Sequence, residues 1–300
     1  MISIIGSGQV GTAIAFLCVS SGLDDVLLVN RDEEKAIGES MDVSNAIPGN
    51  SGFSVRGTSD YSKIIGSDIV VITASVGVYL KDRTENMVPQ ITMIKEIAQK
   101  IKRHCPAAIV LVISNPLDIL TYFFQKEVNF PRFKVFGIAS SLDTSRFRYL
   151  VSEKFSVPQS LVDDALVLGE HGDSMVPVFS RTKVDGKPLL SLIDGKEKSA
   201  ISDDVRNYWK NLRHYKSRSQ FGIAKNAFDV IDSIVNNHEL VVPVSVVLED
   251  EYGEKDVAMG VPVSLNRCGI SKIIDVELDD SEIALLKKSS QRIRDQIRSV

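Results

Sequence analysis

The sequence predicts an α/β protein, a doubly wound parallel sheet followed by a mixed α+β region. Three observations carry this. Short runs rich in Ile and Val recur through the first half, at ISII (2–5), VLLV (26–29), IVVIT (69–73), AIVLVIS (108–114) and KVFGI (134–138). They are apolar on both faces, as parallel strands covered on both sides must be. Helical periodicity fills the gaps between them, giving repeated βα units. After about residue 140 the alternation stops and longer strand-like stretches stand beside long helices.

Taken in order, residues 9–21 form a helix with Gly22 as its C-terminal stop. Residues 85–103 form another, ending in a basic KRH that suits the negative end of a helix. A helix over 116–127 opens on Pro116, a residue at home in a first turn. Residues 141–155 continue the pattern, with Leu142, Tyr149, Leu150 and Phe155 among the apolar positions. Strands follow at ALVLG, ELVVPVSVVLED and VAMGVPVSL, and helices near 200–213, 222–236 and 280–298. No Pro/Ser-rich linker divides the halves, which predicts a tight interface between them.

The 300 residues suffice for one large or two ordinary domains. Hydrophobic residues make up 44% and charged ones 25%, the balance of a soluble globular protein. With 35 basic and 39 acidic residues the net charge is −4, which argues against nucleic-acid or acidic-membrane partners. Cys18, Cys105 and Cys268 are widely spaced and form no CxxC pair. Buried, reduced thiols in a cytoplasmic protein are the expectation, with no metal site. The chain opens directly on a strand, so no signal peptide is expected. No apolar run approaches the roughly 18 residues of a membrane span.

Residues 6–11 read GSGQVG, a G-x-G-x-x-G between the first strand and first helix. Gly6 permits a tight turn, Gly8 lets the backbone approach a pyrophosphate, and Gly11 lets the helix pack close to the sheet. Gln9 and Val10 open the helix whose amides would face the phosphates. In this context the motif predicts a Rossmann-type dinucleotide site. The second strand ends in Asn30 and Arg31 where an acid is usual. Asparagine can bond a ribose hydroxyl without repelling a 2′-phosphate, and Arg31 could bind that phosphate. Asp32, Glu33 and Glu34 follow at once, as in an ordinary exposed turn. The expected cofactor is NAD, with NADP admitted as well. Thr73 and Ala74, at the end of the third apolar run, complete the expected cofactor residues.

Three further segments stand out: SNPLD (114–118), SSLDTSR (140–146) and GEHGDS (169–174). His171, one of four histidines, follows an apolar strand and lies between Gly169 and Gly172. Asp143 and Arg146 are three apart in a first helical turn, hence on one face. A solvated turn histidine and a surface cation are the plainer alternatives. With GSGQVG, these segments resemble the lactate/malate dehydrogenase family over essentially the whole chain. SNPLDILTYFF and GEHGDSMVP are most similar to the lactate-dehydrogenase-like malate dehydrogenases of archaea and bacteria.

The resemblance implies a dinucleotide-binding domain over 1–140 and a catalytic/substrate domain over 141–300. His171 matches the family's acid/base, for which an imidazole titrating near neutrality is suited. Asp143 matches the carboxylate that orients the imidazole. Arg146 matches the residue gripping the substrate's C1 carboxylate, where a fork gives direction as well as charge. Asn115 matches a strand-end asparagine touching both cofactor and substrate. Arg83 matches a loop arginine that polarises the carbonyl when the loop closes. Ser219, in KSRSQFG, aligns with the small or hydroxylated residue at the back of the pocket.

The loop SVGVYLKDRTEN (75–86) departs from the family. Malate dehydrogenases usually carry a second arginine about six residues before the catalytic one, and lactate dehydrogenases a glutamine. Here counting back from Arg83 gives Gly77, and counting forward from the strand gives Val78. A dicarboxylate in a dry pocket needs a cation. Lys81 is the remaining loop cation and a candidate for that task, unless it stays in solvent beside Asp82 or Glu85. Malate is the expected substrate, with lactate or dual malate/lactate activity as the alternative. An NAD-dependent glycosidase and a non-catalytic dinucleotide sensor are remoter readings. The first needs a metal held by Cys and His, and no cysteine lies near His171 in sequence. The second gives no reason for Arg83, Asp143, Arg146 and His171 to occur together. The resemblance further implies a homotetramer, or else a homodimer, with a helix around 35–47 at a subunit interface.

Overall fold

The structure, a computed structural model, describes residues 1–77 and 87–300. Six parallel strands form two-thirds of a nine-stranded sheet: β1 (Ile2–Ile5), β2 (Val26–Val29), β3 (Val55–Thr58), β4 (Ile69–Ile72), β5 (Ile109–Val112) and β6 (Val135–Gly137). Their order is β3-β2-β1-β4-β5-β6. Every residue of β1, β2, β4 and β5 is buried, which is why these strands read as continuous apolar runs. Register aligns their C-terminal ends. Ile5 pairs with both Val29 and Ile72, Ile72 with Val112, and Val112 with Gly137. The chain therefore leaves the sheet at Gly6, Asn30, Thr73, Ile113 and Ile138 along one edge. β1 is the point where the strand order reverses, the usual ligand crevice of such sheets.

The helices are α1 (Gln9–Ser20), α2 (Glu33–Ser44), α3 (Met87–His104), α4 (Leu117–Val128), α5 (Ser140–Phe155), α6 (Gly195–Tyr215), α7 (Phe221–Asn236) and α8 (Asp280–Arg298). Pro116 is the N-cap of α4, one residue outside the helix it was expected to begin. α6 starts earlier than its periodicity suggested, at a capping box in which Asp194 and Glu197 satisfy each other's backbone amides.

The sheet does not stop at β6. Strand β7 (Leu240–Glu249) lies antiparallel to it, with Ser245 opposite Gly137, and β8 (Lys255–Asn266) and β9 (Gly269–Ile273) follow antiparallel. The two halves thus share one sheet and one large core. A second, smaller core lies under α5 and α6, where Phe147 and Phe179 meet edge to face at 5.1 Å. Each ring so buried contributes roughly 1.5–3 kcal/mol. Cys18 and Cys105 are buried as expected, but Cys268 is exposed, on the turn between β8 and β9. Among the described residues, no helix is long and apolar enough to cross a membrane, and no group of three or more His, Cys, Asp or Glu side chains is placed to hold a metal.

Candidate active site

The glycine turn has the stereochemistry its sequence requires. Gly6 sits at φ +110°, and a Cβ there would lie 2.8 Å from both the Ala74 amide nitrogen and Thr73 Oγ1. A Cβ on Gly11 would fall 2.0 Å from the Gly6 carbonyl oxygen. Thr73 Oγ1 donates to that same carbonyl at 2.8 Å, and the Ala74 carbonyl accepts from Ser114 Oγ at 2.5 Å. Thr73 and Ala74 thus fix the turn from the neighbouring strand end. Gly8 differs, since nothing lies within 4 Å of the space its Cβ would fill. As the N-cap of α1 it offers no side chain to the first-turn amides, including those of Gln9 and Val10. An open approach above uncapped amides fits a pyrophosphate.

At the end of β2, Asn30 Nδ2 donates to Ser7 Oγ at 2.7 Å, and Asn30 Oδ1 accepts from the Asp32 amide at 3.1 Å. The acids that follow are tied to local structure. Asp32 caps α2 through the Lys35 amide, and Glu33 accepts from the Ser59 amide. Arg31 is exposed and makes no ion pair with any described residue.

Behind the sheet edge lies a buried charged cluster. His171 Nδ1 is 2.5 Å from Asp143 Oδ2, and Arg146 Nη1 donates to Asp143 Oδ1 at 3.1 Å. All three are more than nine-tenths buried. The first turn of α5 places Asp143 and Arg146, and the turn after the strand Val167–Leu168 carries His171. The Arg146 guanidinium also lies 5.1 Å from the centre of the Tyr208 ring on α6. A further carboxylate holds the histidine's backbone, as the His171 amide donates to Asp118 Oδ2 at 2.8 Å and Ser245 Oγ to Oδ1 at 2.6 Å. Burial raises the Asp118 pKa to about 7, only partly opposed by these two donors. Glu170 and Asp173, the flanking acids, point instead to Arg292 of α8, at 3.3 and 3.4 Å.

These parts meet in a cavity of about 200 Å³. Of the residues singled out from sequence, Val10, Thr73, Asn115, Arg146, His171 and Ser219 line it. Asp143 stands behind His171, while the glycines, Asn30 and Arg31 form the approach. Asn115 Oδ1 is buried without a hydrogen-bond partner among the described residues, an acceptor that a ligand donor would satisfy. Lys81 and Arg83 lie outside the described residues. The sequence reading missed Asp118, Ser245, Tyr208, Trp209 and Arg213. For the last two a signal existed, because Trp209, the chain's one tryptophan, and Arg213 are four apart on α6 and share a face.

A parallel sheet with a phosphate-accepting glycine turn, next to a buried imidazole–carboxylate–guanidinium cluster, defines a dinucleotide-dependent oxidoreductase. Comparison with known proteins narrows this. Residues 1–137 match the family model for the lactate/malate dehydrogenase NAD binding domain, and residues 140–300 match the α/β C-terminal domain of the same family. A malate dehydrogenase of Staphylococcus carnosus is 36% identical, the match covering 98% of this chain and 96% of that one. L-lactate dehydrogenase 1 of Clostridium acetobutylicum is 34% identical, covering 100% and 98%. The crystal structure of Cryptosporidium parvum lactate dehydrogenase, complexed with lactic acid and nicotinamide adenine dinucleotide, superposes with a TM-score of 0.95 at 34% identity, covering 99% of this chain and 96% of that one. The chain belongs to the lactate/malate dehydrogenase family and is a 2-hydroxyacid dehydrogenase.

Proposed function

We propose that this protein is a malate dehydrogenase, interconverting malate and oxaloacetate with NAD and with His171 as acid/base. The observation that carries the dehydrogenase chemistry is the Asp143 carboxylate bonded at once to His171 and Arg146 at the cavity wall, and the malate dehydrogenase relatives support malate as the substrate. With Nδ1 on Asp143, Nε2 is the imidazole nitrogen that serves the substrate. In reduction it gives its proton to the carbonyl oxygen as a hydride reaches the carbonyl carbon, and in oxidation both return. Asp143 keeps the ring in one orientation and favours its protonated form. Arg146 holds the C1 carboxylate, and Asn115 Oδ1 accepts from cofactor or substrate. The nicotinamide dinucleotide, when bound, supplies or accepts the hydride. Gly6, Gly8, Gln9, Val10 and Gly11 would hold its phosphates, with Thr73 and Ala74 fixing the turn. Arg83 would polarise the carbonyl, and Ser219 would line the pocket.

NADP is admitted in this reading because Arg31 is exposed beside Asn30 while Asp32 and Glu33 are engaged elsewhere. The division near residue 140 into cofactor and substrate parts is supported by the bounds of the two family matches. Self-association, as a homotetramer or homodimer, is supported by exposed Phe16, Ile37 and Met41 on α1 and α2. A cytoplasmic location is kept with the dehydrogenase reading. The second reading is lactate dehydrogenase or dual activity, favoured by the L-lactate dehydrogenase relatives and by a loop without the second arginine. Absorbance assays of NADH and NADPH oxidation with oxaloacetate and with pyruvate test all of this. Faster turnover of pyruvate would favour the second reading, and no turnover of either would overturn both.

A further inference from the structure

Glu170, the residue before the acid/base, takes no part in the proton transfer, yet its carboxylate is buried, at 7% exposure. The turn that carries His171 is folded around it. Glu170 Oε2 accepts from the Ser174 amide at 3.1 Å and from the Ser174 hydroxyl, which closes the turn on its far side. A Cβ on Gly172 would lie 2.6 Å from the Glu170 carboxyl carbon, so only glycine lets the chain pass there. The remaining partners come from α8. Arg292 Nε lies 3.3 Å from Oε2, Gln296 Nε2 donates to Oε1 at 3.2 Å, and Ser289 Oγ accepts from the Glu170 amide at 2.7 Å. Arg292 also reaches Asp173 at 3.4 Å.

We propose that Glu170 and Arg292 are positioning residues for the acid/base, the pair fixing the turn of His171 and balancing the charge beside its imidazole. This rests on the dehydrogenase reading above and goes beyond it by tying the chemistry to α8. A carboxylate buried in such a turn acts at longer range than one in water. Burial is the first cause of the raised Asp118 pKa, and the Glu170 anion adds to it. The Glu170 field thus reaches the side chain that holds the His171 amide. Among the other described groups, Asp143 of α5 bonds the His171 ring, Asp118 of α4 bonds its amide, and Arg146, Arg213 and Arg218 share its cavity. All of these stay in place when Glu170 or Arg292 is replaced. Without Arg292, Glu170 and Asp173 stand unopposed from α8 and favour the imidazolium. Without the Glu170 charge, Arg292 is opposed by Asp173 alone and disfavours it.

The test follows kcat/KM for reduction of oxaloacetate and of pyruvate against pH, with NADH affinity by fluorescence, in the full-length protein. Reduction uses the protonated imidazole, so kcat/KM falls as pH rises through its titration. The variants are Glu170→Gln, Arg292→Gln, Arg292→Lys and the double Glu170→Gln/Arg292→Gln. Glutamine keeps an acceptor for Ser174, and Gln296 can turn its own amide to accept from the new NH2. The midpoint of the fall should move up by about 0.5 pH unit in Arg292→Gln and down by about as much in Glu170→Gln. The double variant and Arg292→Lys should lie near the wild type, and NADH affinity should hold throughout. Midpoints that stay put, or that move the same way in both single variants, overturn the proposal. Arg292 is half exposed, so Arg292→Gln and Arg292→Lys report even where Glu170→Gln folds poorly. Turnover with unmoved midpoints sinks this proposal alone, whereas a wild type that reduces neither keto acid sinks the dehydrogenase reading beneath it.

Discussion

The backbone amide of His171 donates to Asp118 Oδ2 at 2.8 Å, joining the turn that carries the imidazole to the first turn of α4, three residues beyond Asn115. Ser245 fastens the same carboxyl to β7. Asp118 therefore spaces the two sides of the cavity, and it does so with its pKa raised to about 7 by burial. Between the ordinary carboxylate range and about pH 7 the folded protein keeps a proton that the unfolded chain has lost. Stability from this group thus falls as pH rises through that window and levels off above it. Asp118→Asn keeps an acceptor for the His171 amide and cannot titrate. The wild type should lose roughly 2–3 kcal/mol relative to this variant between pH 5 and pH 8. Urea denaturation at the two pH values measures it, and parallel slopes would refute it.

Asp143 is a buried anion answered by His171 and Arg146. His171→Asn should remove acid/base catalysis and lower kcat by at least about 100-fold, with NADH binding retained. Asp143→Asn should lower kcat by about 10²–10⁴-fold, since the ring loses its orienting charge. It should also destabilise the protein by about 3 kcal/mol, because Arg146 is left buried without its carboxylate. Steady-state kinetics and denaturation of both variants check these outcomes. Normal turnover in His171→Asn would remove it from the chemistry.

Arg146 lies against Asp143 on one side and the Tyr208 ring on the other, so the direction of its fork is fixed. Lysine supplies the charge without the fork. Arg146→Lys should lower kcat/KM about 10- to 100-fold for every 2-keto acid alike, because the C1 carboxylate is common to them. A loss confined to oxaloacetate would show instead that Arg146 reads the distal group.

The residues that could be read from sequence are those whose chemistry or periodicity is local. Buried parallel strands announce themselves as unbroken Ile/Val runs, and GSGQVG states its own geometry between strand and helix. β3 did not, because VRGT is an edge strand with one buried apolar residue, and its glycine accommodates the α2 backbone: a Cβ on Gly57 would lie 2.1 Å from the Ala36 carbonyl oxygen. The joining of β6 to β7 was hidden as well, since Gly137 and Ser245 are paired only through tertiary structure. Asp118 was passed over for the same reason. Within SNPLD it reads as a helix-starting acid, and its partners lie 53 and 127 residues away.

Gly8 and Gly11 separate cofactor approach from packing in the turn. A methyl on Gly11 meets the Gly6 carbonyl at 2.0 Å, so Gly11→Ala must displace α1 from the turn. That should cost about 1–3 kcal/mol of stability and weaken NADH binding along with it. Gly8 has an ordinary φ of −89° and open space around its Cβ. Gly8→Ala should cost under about 1 kcal/mol, as expected of alanine for glycine at an N-cap. Its methyl would nevertheless stand where the pyrophosphate must approach the α1 amides. The variant should fold like the wild type and bind NADH at least about 10-fold more weakly, a loss comparable to one hydrogen bond to a charged group. Thermal melts paired with NADH fluorescence titrations distinguish the two effects. Unchanged NADH affinity in a folded Gly8→Ala protein would move the phosphates away from this turn.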